Sequence, residues 1–451
     1  MRIKQISVNG LFGIFDHVIP LNMDDRITVI HGPNGFGKTA MLRILNAFFN
    51  NRYWELRRIP FSKFRFEFDD DKNIEIVKTN NDEEEINKNI TFDFYKLNSH
   101  TEKFSLKQTR IRSNMVDIPM SRLDDFIPGL ERIAPRKWLY RLTEETLSLE
   151  EVLERFSNLL PLDLKPQEIP DWLQELNSNI NIRLIESQRL LNFIPNRAST
   201  LDYKTTSILS TVSAYSNEIA KLMQDKFKEY GTISQSLDRT FPMRVVKSDS
   251  SPDVKNEQLH DQLNELEVTR SRLIEVGLLD KDENSEFPIQ PQDIDESTKK
   301  ALSVYIEDVE KKLNVFNEIA TKIELLRKII NNKFAYSYKE INFNKEKGFI
   351  FTTLYNSSLS DSKILLPTDL SSGEQHELVL LYELLFKVEP NSLVLIDEPE
   401  LSLHVGWQVQ FLQDLQEITK LADLDILIAT HSPDIIQDRW DLTVELKSPV
   451  K

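Results

Sequence analysis

The 451-residue sequence contains no cysteine, which excludes disulfide bonds, thiolate zinc sites and iron–sulfur ligation. It has no apolar run of the about 18 residues that a transmembrane helix needs, and no charged-then-apolar signal at its start. Acidic residues outnumber basic ones by 72 to 56, a net charge of −16, which argues against a dedicated nucleic-acid binder but allows a local basic groove. These absences predict a cytoplasmic protein and exclude a transporter with its own membrane domain. The length of the chain predicts two or three domains.

Glycine is scarce, and its distribution is informative. The chain has 11 glycines, roughly a third of the usual proportion, yet Gly32, Gly35 and Gly37 fall within six residues. Residues 32–39 read GPNGFGKT, which satisfies the phosphate-loop pattern G-x-x-x-x-G-K-[ST]. A chain that avoids glycine but clusters it here requires backbone freedom at this point.

The flanks of this loop match its pattern. Residues 25–30 alternate as a strand does, and residues 38–49 have apolar side chains at helical spacing. A glycine loop between strand and helix forms a nest of backbone N–H groups that suits a polyphosphate. Lys38 is expected to reach the β- and γ-phosphates of ATP, and the Thr39 hydroxyl to bind Mg²⁺. The residues predicted to bind the nucleotide here are Asn34, Gly35, Gly37, Lys38 and Thr39.

An apolar segment, residues 392–396, ends in the paired carboxylates Asp397 and Glu398. A buried parallel strand delivers its carboxyl end to the ligand edge of an α/β sheet. Asp397 is therefore expected to hold Mg²⁺, directly or through water, and Glu398 to act as the general base for the attacking water. The alternative, an ordinary surface acid pair, is disfavoured by the phosphate loop upstream.

Residues 370–375, LSSGEQ, precede a strongly apolar helical stretch. Ser371 and Glu374 have the spacing of a capping box, which is sufficient to explain them as the start of a core helix. The alternative is that this helix start faces a γ-phosphate, and these residues alone do not separate the two interpretations.

A further buried strand, residues 425–429, leads directly into Thr430 and His431. A histidine at the carboxyl end of a strand can contact a γ-phosphate and orient water. A single histidine is more often structural, so this assignment depends on the other segments.

Taken in order, these four segments resemble the Walker A, signature, Walker B and switch-histidine motifs of ABC-type ATPases, and residues 400–404 resemble the D-loop. The resemblance implies an α/β head, with a P-loop sheet and an antiparallel β subdomain, that binds ATP and Mg²⁺. It also implies a composite site in which Ser371, Gly373 and Glu374 of one subunit cap ATP held by another. The signature has Ser372 where many members have glycine.

The spacing of the motifs separates this chain from transport subunits. Gly373 lies 334 residues beyond Thr39, so a large insertion divides the two lobes, as in the SMC, RecF and OLD-type ATPases. Strands that alternate with period two, such as residues 64–68 and 90–94, predict the antiparallel sheet. By the same resemblance, Gln188 is the candidate Q-loop residue that couples Mg²⁺ to the insertion; a simple strand-to-helix corner is the alternative.

The insertion, residues 203–332, is predicted to be helical with a break near residues 240–252. Its last arm has a coiled-coil-like seam at 4-3 spacing. The seam residues are Val309, Leu313, Phe316, Ala320, Ile323 and Ile330. With the preceding arm it predicts a short hairpin whose tip lies within residues 277–297, suited to a protein partner; a packed helical lid is the alternative.

These patterns predict four segments. They are an N-terminal ATPase lobe (1–110), a helical part with the candidate Q-loop (111–200), a helical or coiled-coil hairpin insertion (201–335) and a C-terminal ATPase lobe (336–451). Only 20 residues follow His431, so we expect no nuclease domain on this chain.

Among the OLD/RecF-like group, the chain most resembles stand-alone ATPases of bacterial anti-phage systems, first that of PARIS and then that of Septu. The resemblance implies a slow ATPase that self-associates and holds a separate effector, expected to be a nuclease, on its insertion until a phage-encoded trigger arrives. The alternative is a RecF-like repair ATPase that clamps DNA; a small-molecule or translation-linked ATPase is a third. The candidate DNA-binding residues are Arg52, Arg57, Arg58, Lys63 and Arg65.

Overall fold

The computed structural model describes residues 1–79, 89–96, 99–106, 123–127, 129–141, 145–156, 169–186, 191–193, 208–247, 256–281, 295–354 and 364–448. The chain divides into two compact units. The first unit comprises residues 1–188, 195–206 and 388–451, and the second comprises residues 189–194 and 207–387. The division into four segments stays a prediction.

The strands are, in chain order, β1 (Ile3–Leu11), β2 (Phe15–Pro20), β3 (Ile27–His31), β4 (Lys63–Phe68), β5 (Lys72–Thr79), β6 (Asn89–Lys96), β7 (Ser99–Leu106), β8 (Leu130–Ala134), β9 (Lys137–Tyr140), β10 (Glu145–Ser148), β11 (Ile182–Ile185), β12 (Leu191–Phe193), β13 (Ile208–Ser210), β14 (Lys339–Asn344), β15 (Gly348–Thr353), β16 (Ile364–Leu365), β17 (Leu393–Asp397), β18 (Asp425–Thr430) and β19 (Thr443–Glu445).

The α-helices are α1 (Lys38–Phe49), α2 (Tyr53–Arg58), α3 (Leu123–Phe126), α4 (Leu149–Arg155), α5 (Asp171–Asn179), α6 (Thr211–Lys247), α7 (Asn256–Glu275), α8 (Glu296–Asn314), α9 (Asn317–Phe334), α10 (Ser372–Tyr382), α11 (Val405–Ala422) and α12 (Pro433–Ile436). Short 3₁₀ turns span Ala335–Ser337, Pro367–Asp369, Pro399–Ser402 and Trp440–Leu442, and a π-helical turn spans Glu383–Lys387.

A parallel sheet organises the first unit. Its strand order is β11-β17-β18-β3-β19, and every neighbouring pair is parallel. Strand β17 is buried along its whole length, which is why it consists of Leu, Val and Ile up to its final Asp397. Ile185 pairs with Ile396, and Asp397 with Ala429. The carboxyl ends of β11, β17 and β18 therefore meet at one edge.

An antiparallel sheet of order β2-β1-β4-β5-β6-β7 completes the core of this unit. Phe48 on α1 packs against Phe66 of β4 and Phe92 of β6, with ring centroids 5.1 and 5.3 Å apart. Phe66 is buried because the side chains of β4 alternate between the core and the surface, as the sequence predicts. The predicted architecture is confirmed: an α/β fold with a parallel sheet, an antiparallel β subdomain and a large helical insertion.

The segment predicted as helical between residues 111 and 200 is only partly so. A three-stranded antiparallel sheet, β10-β9-β8, lies within it and packs around the fully buried Trp138. Its strands have four or five residues each, too few to show a clear period of two in the sequence.

The second unit contains helices α6–α10 and the antiparallel sheet β14-β15-β16. All six predicted seam residues are buried, but they are divided between α8 and α9, which meet at residues 315–316. The helix break was predicted near residues 240–252, but in the structure the helix ends later than residue 240. Helix α6 continues through Pro242 to Lys247, and the side chains of Thr240 and Arg244 donate to the Leu237 carbonyl in the preceding turn.

Ion pairs join the helices of this unit to one another. Arg244 Nη2 lies 2.6 Å from Asp308 Oδ2, which connects α6 to α8, and Arg272 connects α7 to Glu324 on α9. The helices thus pack together as a bundle, and not as the two arms of a simple hairpin. Residues 282–294, most of the predicted tip, lie outside the described residues. In the described part of the chain, no helix is long and apolar enough to cross a membrane.

Candidate nucleotide site

The phosphate loop joins β3 to α1, and its backbone requires glycine. Gly35 and Gly37 have φ values of +86° and +90°, a region that residues with a Cβ rarely adopt. A Cβ on Gly37 would lie 2.2 Å from Leu11 Cδ2, so a larger residue would require the Leu11 side chain to move. Helix α1 begins at Lys38, immediately after the loop, and its first N–H groups are available to an anion.

Lys38 lies inside the curve of this loop. Its side chain is buried, and Nζ donates to the carbonyl oxygens of Gly32 at 2.7 Å and Pro33 at 3.2 Å. The loop therefore holds a positive charge among backbone N–H groups, the combination that binds a polyphosphate.

A histidine that the sequence did not single out supports the loop from β2. His17 Nε2 lies 3.0 Å from the Phe36 carbonyl oxygen, and the Phe15 ring packs on Phe36 with centroids 5.0 Å apart. Burial lowers the pKa of His17, which favours a neutral ring with a proton on Nε2 to donate to that carbonyl. Alternation within residues 15–20 is the only signal that could have placed His17 in the core.

The structure brings Thr39 and Asp397 together. Thr39 Oγ1 donates to Asp397 Oδ1 at 3.0 Å. Burial raises the pKa of Asp397 to about 6, although the bond from Thr39 acts in the opposite direction. The negative charge of Glu398 adds to the increase. A cation beside these two oxygens would relieve the cost of this buried charge.

These oxygens fit Mg²⁺. A hydroxyl and a carboxylate are hard oxygen ligands, and Mg²⁺ in phosphate sites takes one or two protein ligands while water and phosphate supply the rest. Within the described residues, no group of three or more acidic or histidine side chains forms a cage for a metal ion.

Glu398 begins the segment after β17 in a left-handed conformation, with φ +43° and ψ +58°. Its N–H donates to the Ala429 carbonyl at 2.8 Å, which fixes this turn against β18. The Glu398 carboxylate is half-buried, and its Oε1 lies 3.8 Å from His431 Nδ1. Both residues thus lie at the same edge of the sheet.

Glu400 lies closer to His431 than Glu398 does, although the sequence identified Glu400 only as part of the D-loop. Its Oε1 lies 3.1 Å from His431 Nδ1 and accepts hydrogen bonds from the His431 N–H at 2.8 Å and Thr430 Oγ1 at 2.7 Å. An acidic residue two positions after the Walker B glutamate was the available signal, but its contacts with a strand 30 positions away were not predictable.

The β11 end of the same edge carries a further carboxylate. Glu186 directly follows β11, and its Oε1 lies 3.4 Å from Nη2 of Arg43, one turn beyond Thr39 on α1. The candidate Q-loop residue, Gln188, lies outside the described residues.

The predicted signature residues lie in the second unit. Ser371 caps α10: its hydroxyl accepts from the Glu374 N–H at 3.3 Å, and Glu374 Oε2 accepts from the Ser371 N–H at 2.7 Å. Gly373 lies in the first turn of this helix.

The Glu374 carboxylate is also held by Lys339 at 2.8 Å and by the Ser337 hydroxyl at 2.6 Å. Burial acts to raise its pKa, but these donors prevail and hold the pKa below its usual value. Glu374 is thus engaged within its own unit, and the capping interpretation of this residue has direct structural support.

The basic residues considered for DNA binding have acidic neighbours. Lys63 Nζ lies 2.6 Å from Glu75, and Arg65 lies 3.0 Å from Glu67. Arg52 and Arg58 lie 3.7 Å from Glu55 and Glu151. Arg57 also has an interaction partner. Four of the five candidate residues thus each have an acidic neighbour within 3.7 Å.

A parallel sheet that leads through this loop into a helix defines a P-loop nucleotide-binding head. The chain belongs to the AAA ATPase domain family, whose model matches residues 1–436. It is therefore an ATPase-domain protein.

Solved SMC heads are among the similar structures. The SmcHead bound to the C-winged helix domain of ScpA is 10% identical with a TM-score of 0.32, over 97% of this chain and 91% of that one. A Pyrococcus furiosus Smc head with an extended coiled coil, bound to the C-terminal domain of ScpA, is 12% identical with a TM-score of 0.31, over 100% and 94%. The Thermotoga maritima SMC head is 11% identical with a TM-score of 0.30, over 97% and 92%. No curated protein matches the chain.

Proposed function

We propose that this chain is an ABC-type ATPase of the SMC/RecF/OLD-like group, and that residues 34–39, Asp397, Glu398 and His431 form its hydrolytic half-site. The observation that carries the proposal is the Thr39–Asp397 hydrogen bond of 3.0 Å, which joins the phosphate loop to the acidic end of β17. Glu398 and His431 lie next to this pair, at the ends of β17 and β18.

Each residue has a distinct chemical role in this proposal. The loop N–H groups and Lys38 bind the β- and γ-phosphates, and Thr39 and Asp397 hold Mg²⁺, with Gln188 as a further candidate ligand. When bound, Mg²⁺ neutralises charge on the phosphates. Glu398 accepts a proton from the attacking water, and His431 orients the γ-phosphate or that water.

The second half of the site comes from another copy of the chain in this proposal. Ser371 and the N–H groups at the start of α10 contact the γ-phosphate held by the partner, and Gly373 permits the close approach. Glu374 contributes by holding the start of α10, since its carboxylate is already bound by Lys339 and Ser337. ATP thereby favours association of two heads.

The biological role that we propose is a slow sensor and scaffold in an anti-phage system, most like the PARIS ATPase and next most like that of Septu. The chain would hold a separate effector, a nuclease, until a phage-encoded trigger releases it. The helical insertion supports this proposal, because it is a large packed unit that leaves Met243, Val246 and Val268 exposed on α6 and α7. These side chains are available for contact with a partner.

The test is the Glu398→Gln variant, tagged and expressed with its neighbouring genes. Loss of the general base should block hydrolysis while ATP binding persists, so closed assemblies should accumulate with ATP and Mg²⁺. Native mass spectrometry should show an oligomer that carries a neighbouring gene product. Lys38→Ala is the matched control, and it should give no ATP-dependent assembly.

Two outcomes would contradict parts of this proposal. A bare dimer that carries DNA, bound in a salt-sensitive way, would favour the DNA-repair alternative. An effector that still co-purifies with a Val246→Asp/Val268→Asp variant would show that these two exposed side chains do not bind it. Point variants are preferable to deleting the insertion, because Phe316 and its neighbours form the core of the second unit.

A further inference from the structure

The closest carboxylate to the predicted switch histidine is not the predicted general base. Glu400 Oε1 lies 3.1 Å from His431 Nδ1, within hydrogen-bond distance, whereas Glu398 Oε1 lies 3.8 Å away. The Glu400 side chain is also far less exposed, at 5% against 27%. The two carboxylates therefore differ both in their distance from the His431 ring and in their exposure.

We propose that Glu400 is a positioning residue for ATP hydrolysis: it holds His431 in the tautomer with the proton on Nδ1, which leaves Nε2 to meet the γ-phosphate or the water. This inference rests on the hydrolytic role proposed above for His431. In a neutral imidazole, one nitrogen donates and the other accepts, and the partner of the donor decides which is which. A carboxylate can only accept when ionised, so it requires the proton on Nδ1.

The surroundings of Glu400 hold its carboxylate in one place. Besides the ring, Oε1 accepts from the His431 backbone N–H and from the fully buried Thr430 hydroxyl. That hydroxyl also accepts from the Ser432 N–H at 3.0 Å, and Ser432 Oγ donates to Gln408 Oε1 at 2.7 Å. The acid, the ring and the following turn are thus connected through one buried polar network.

This network also separates the tasks of the two glutamates. Two hydrogen bonds end on one oxygen of Glu400, which also lies 3.1 Å from the ring nitrogen, and in the described structure its other oxygen is buried and accepts no hydrogen bond. Glu400 is therefore shielded from substrate water. Glu398 is left for the attacking water, because its carboxylate is more exposed and lies farther from the histidine ring.

The first test reads the tautomer without using activity. The full-length protein, labelled with ¹⁵N-histidine, contains seven histidines, and His431 is assigned by its loss in His431→Asn. Two-bond ¹H–¹⁵N spectra at pH 8 should show the proton on Nδ1 of His431. Glu400→Gln keeps an acceptor oxygen and should preserve this pattern, whereas Glu400→Leu should shift the proton to Nε2. A proton on Nε2 in the wild type, or no change in Glu400→Leu, would overturn the proposal.

The second test reads the consequence for hydrolysis. Glu400→Leu should lower kcat by about 10-fold or more with KM nearly unchanged, while Glu400→Gln should lower it only about 3-fold. In a His431→Ala background, Glu400→Leu should have no further effect, because Glu400 acts through the ring. A loss of the same size in that background would show a merely structural role and overturn the proposal. If the wild type does not hydrolyse ATP, the proposed function fails, while the tautomer measurement still decides this inference.

Discussion

Thr39 Oγ1 lies 3.0 Å from Asp397 Oδ1, although 358 positions separate the two residues along the chain. The contact exists because Thr39 is in the first turn of α1 and Asp397 is the last residue of β17, and α1 begins where β17 ends, at the same edge of the sheet. Asp397 is 8% exposed, so its charge is buried beside a single hydroxyl donor. The buried charge of Asp397 therefore destabilises the protein when no ligand is bound, and this cost can be measured as a difference in the free energy of unfolding.

Replacing Asp397 with Asn should stabilise the chain at high pH in the absence of Mg²⁺ and nucleotide. Burial raises the pKa of Asp397 from 3.8 to about 6. The folded state then binds the proton more tightly than the unfolded state, so the favourable contribution is complete below about pH 4 and is lost as the pH rises through 6. Asp397→Asn should be more stable than wild type at pH 8, by on the order of 2 kcal/mol.

Urea unfolding at pH 8 and pH 5 checks this prediction, and the advantage should shrink at the lower pH. The exposed Asp261 provides the matched control, since Asp261→Asn should leave the unfolding free energy nearly unchanged at both values. A variant that is less stable than wild type at pH 8 would contradict the expectation. Saturating ATP and Mg²⁺ should reverse the order, because only the wild type gains from binding.

Gly37→Ala should destabilise the first unit more than Gly13→Ala. Both glycines have positive φ, +90° and +76°, so both substitutions impose strain of about 1 kcal/mol or slightly more. A Cβ on Gly37 would also lie 2.2 Å from Leu11 Cδ2, whereas among the described atoms none lies within 4 Å of one on Gly13. The clash should add about 1–3 kcal/mol, measured by chemical denaturation. Equal losses of unfolding free energy for the two variants would show that the Leu11 side chain moves aside without measurable cost.

Lys38→Met should weaken ATP binding while leaving most of the fold intact. The variant keeps the apolar stem but removes the ammonium that lies among the Gly32 and Pro33 carbonyls. Charged hydrogen bonds contribute about 1.5–3 kcal/mol, so affinity should fall by about 10-fold or more in calorimetric titration. Lys4→Met, a change at an exposed lysine of β1, should leave the affinity within a factor of two. Comparable ATP affinities for Lys38→Met and Lys4→Met would show that Lys38 does not bind the nucleotide.

The residues of the candidate site differ in how far the sequence could predict them. The phosphate loop and the acidic end of β17 were predictable, because a local pattern of glycines and a buried apolar run have direct structural consequences. His17 and Glu400 were not assigned roles, because each acts through contacts with a distant segment. Glu374 was assigned both as a cap and as a nucleotide contact, and the structure adds the partners Lys339 and Ser337 that hold its carboxylate.

The same limit explains the differences in the fold. The predicted break near residues 240–252 contains Pro242, which lacks an N–H, but the side chains of Thr240 and Arg244 bond back to the preceding turn and α6 continues to Lys247. The buried seam was predictable from its spacing, whereas the packing of α6 and α7 against it depends on pairs such as Arg244 and Asp308, 64 positions apart. Local periodicity identifies a buried face but not the element that covers it.

Breaking one buried ion pair should destabilise the second unit strongly, although removing both partners should not. Lys333 on α9 and Glu377 on α10 form a salt bridge with side-chain exposures of 1% and 0%. Lys333→Met should lower the free energy of unfolding by about 3–5 kcal/mol, because Glu377 would keep a buried charge without its countercharge. The double variant Lys333→Met/Glu377→Leu should recover most of this loss, since two apolar side chains of similar size replace two charges.

Urea unfolding of the single and double variants forms a cycle that measures this coupling. Lys311→Met provides the control, because Lys311 pairs with Glu307 at the surface, where the side chains are 52% and 59% exposed, and it should cost less than about 1 kcal/mol. If the losses from Lys333→Met and Glu377→Leu simply add, the two charges do not compensate each other. In that case the ion pair contributes nothing to the packing of α10, the helix that Ser371 caps, against α9. Apolar contacts then hold the two helices together.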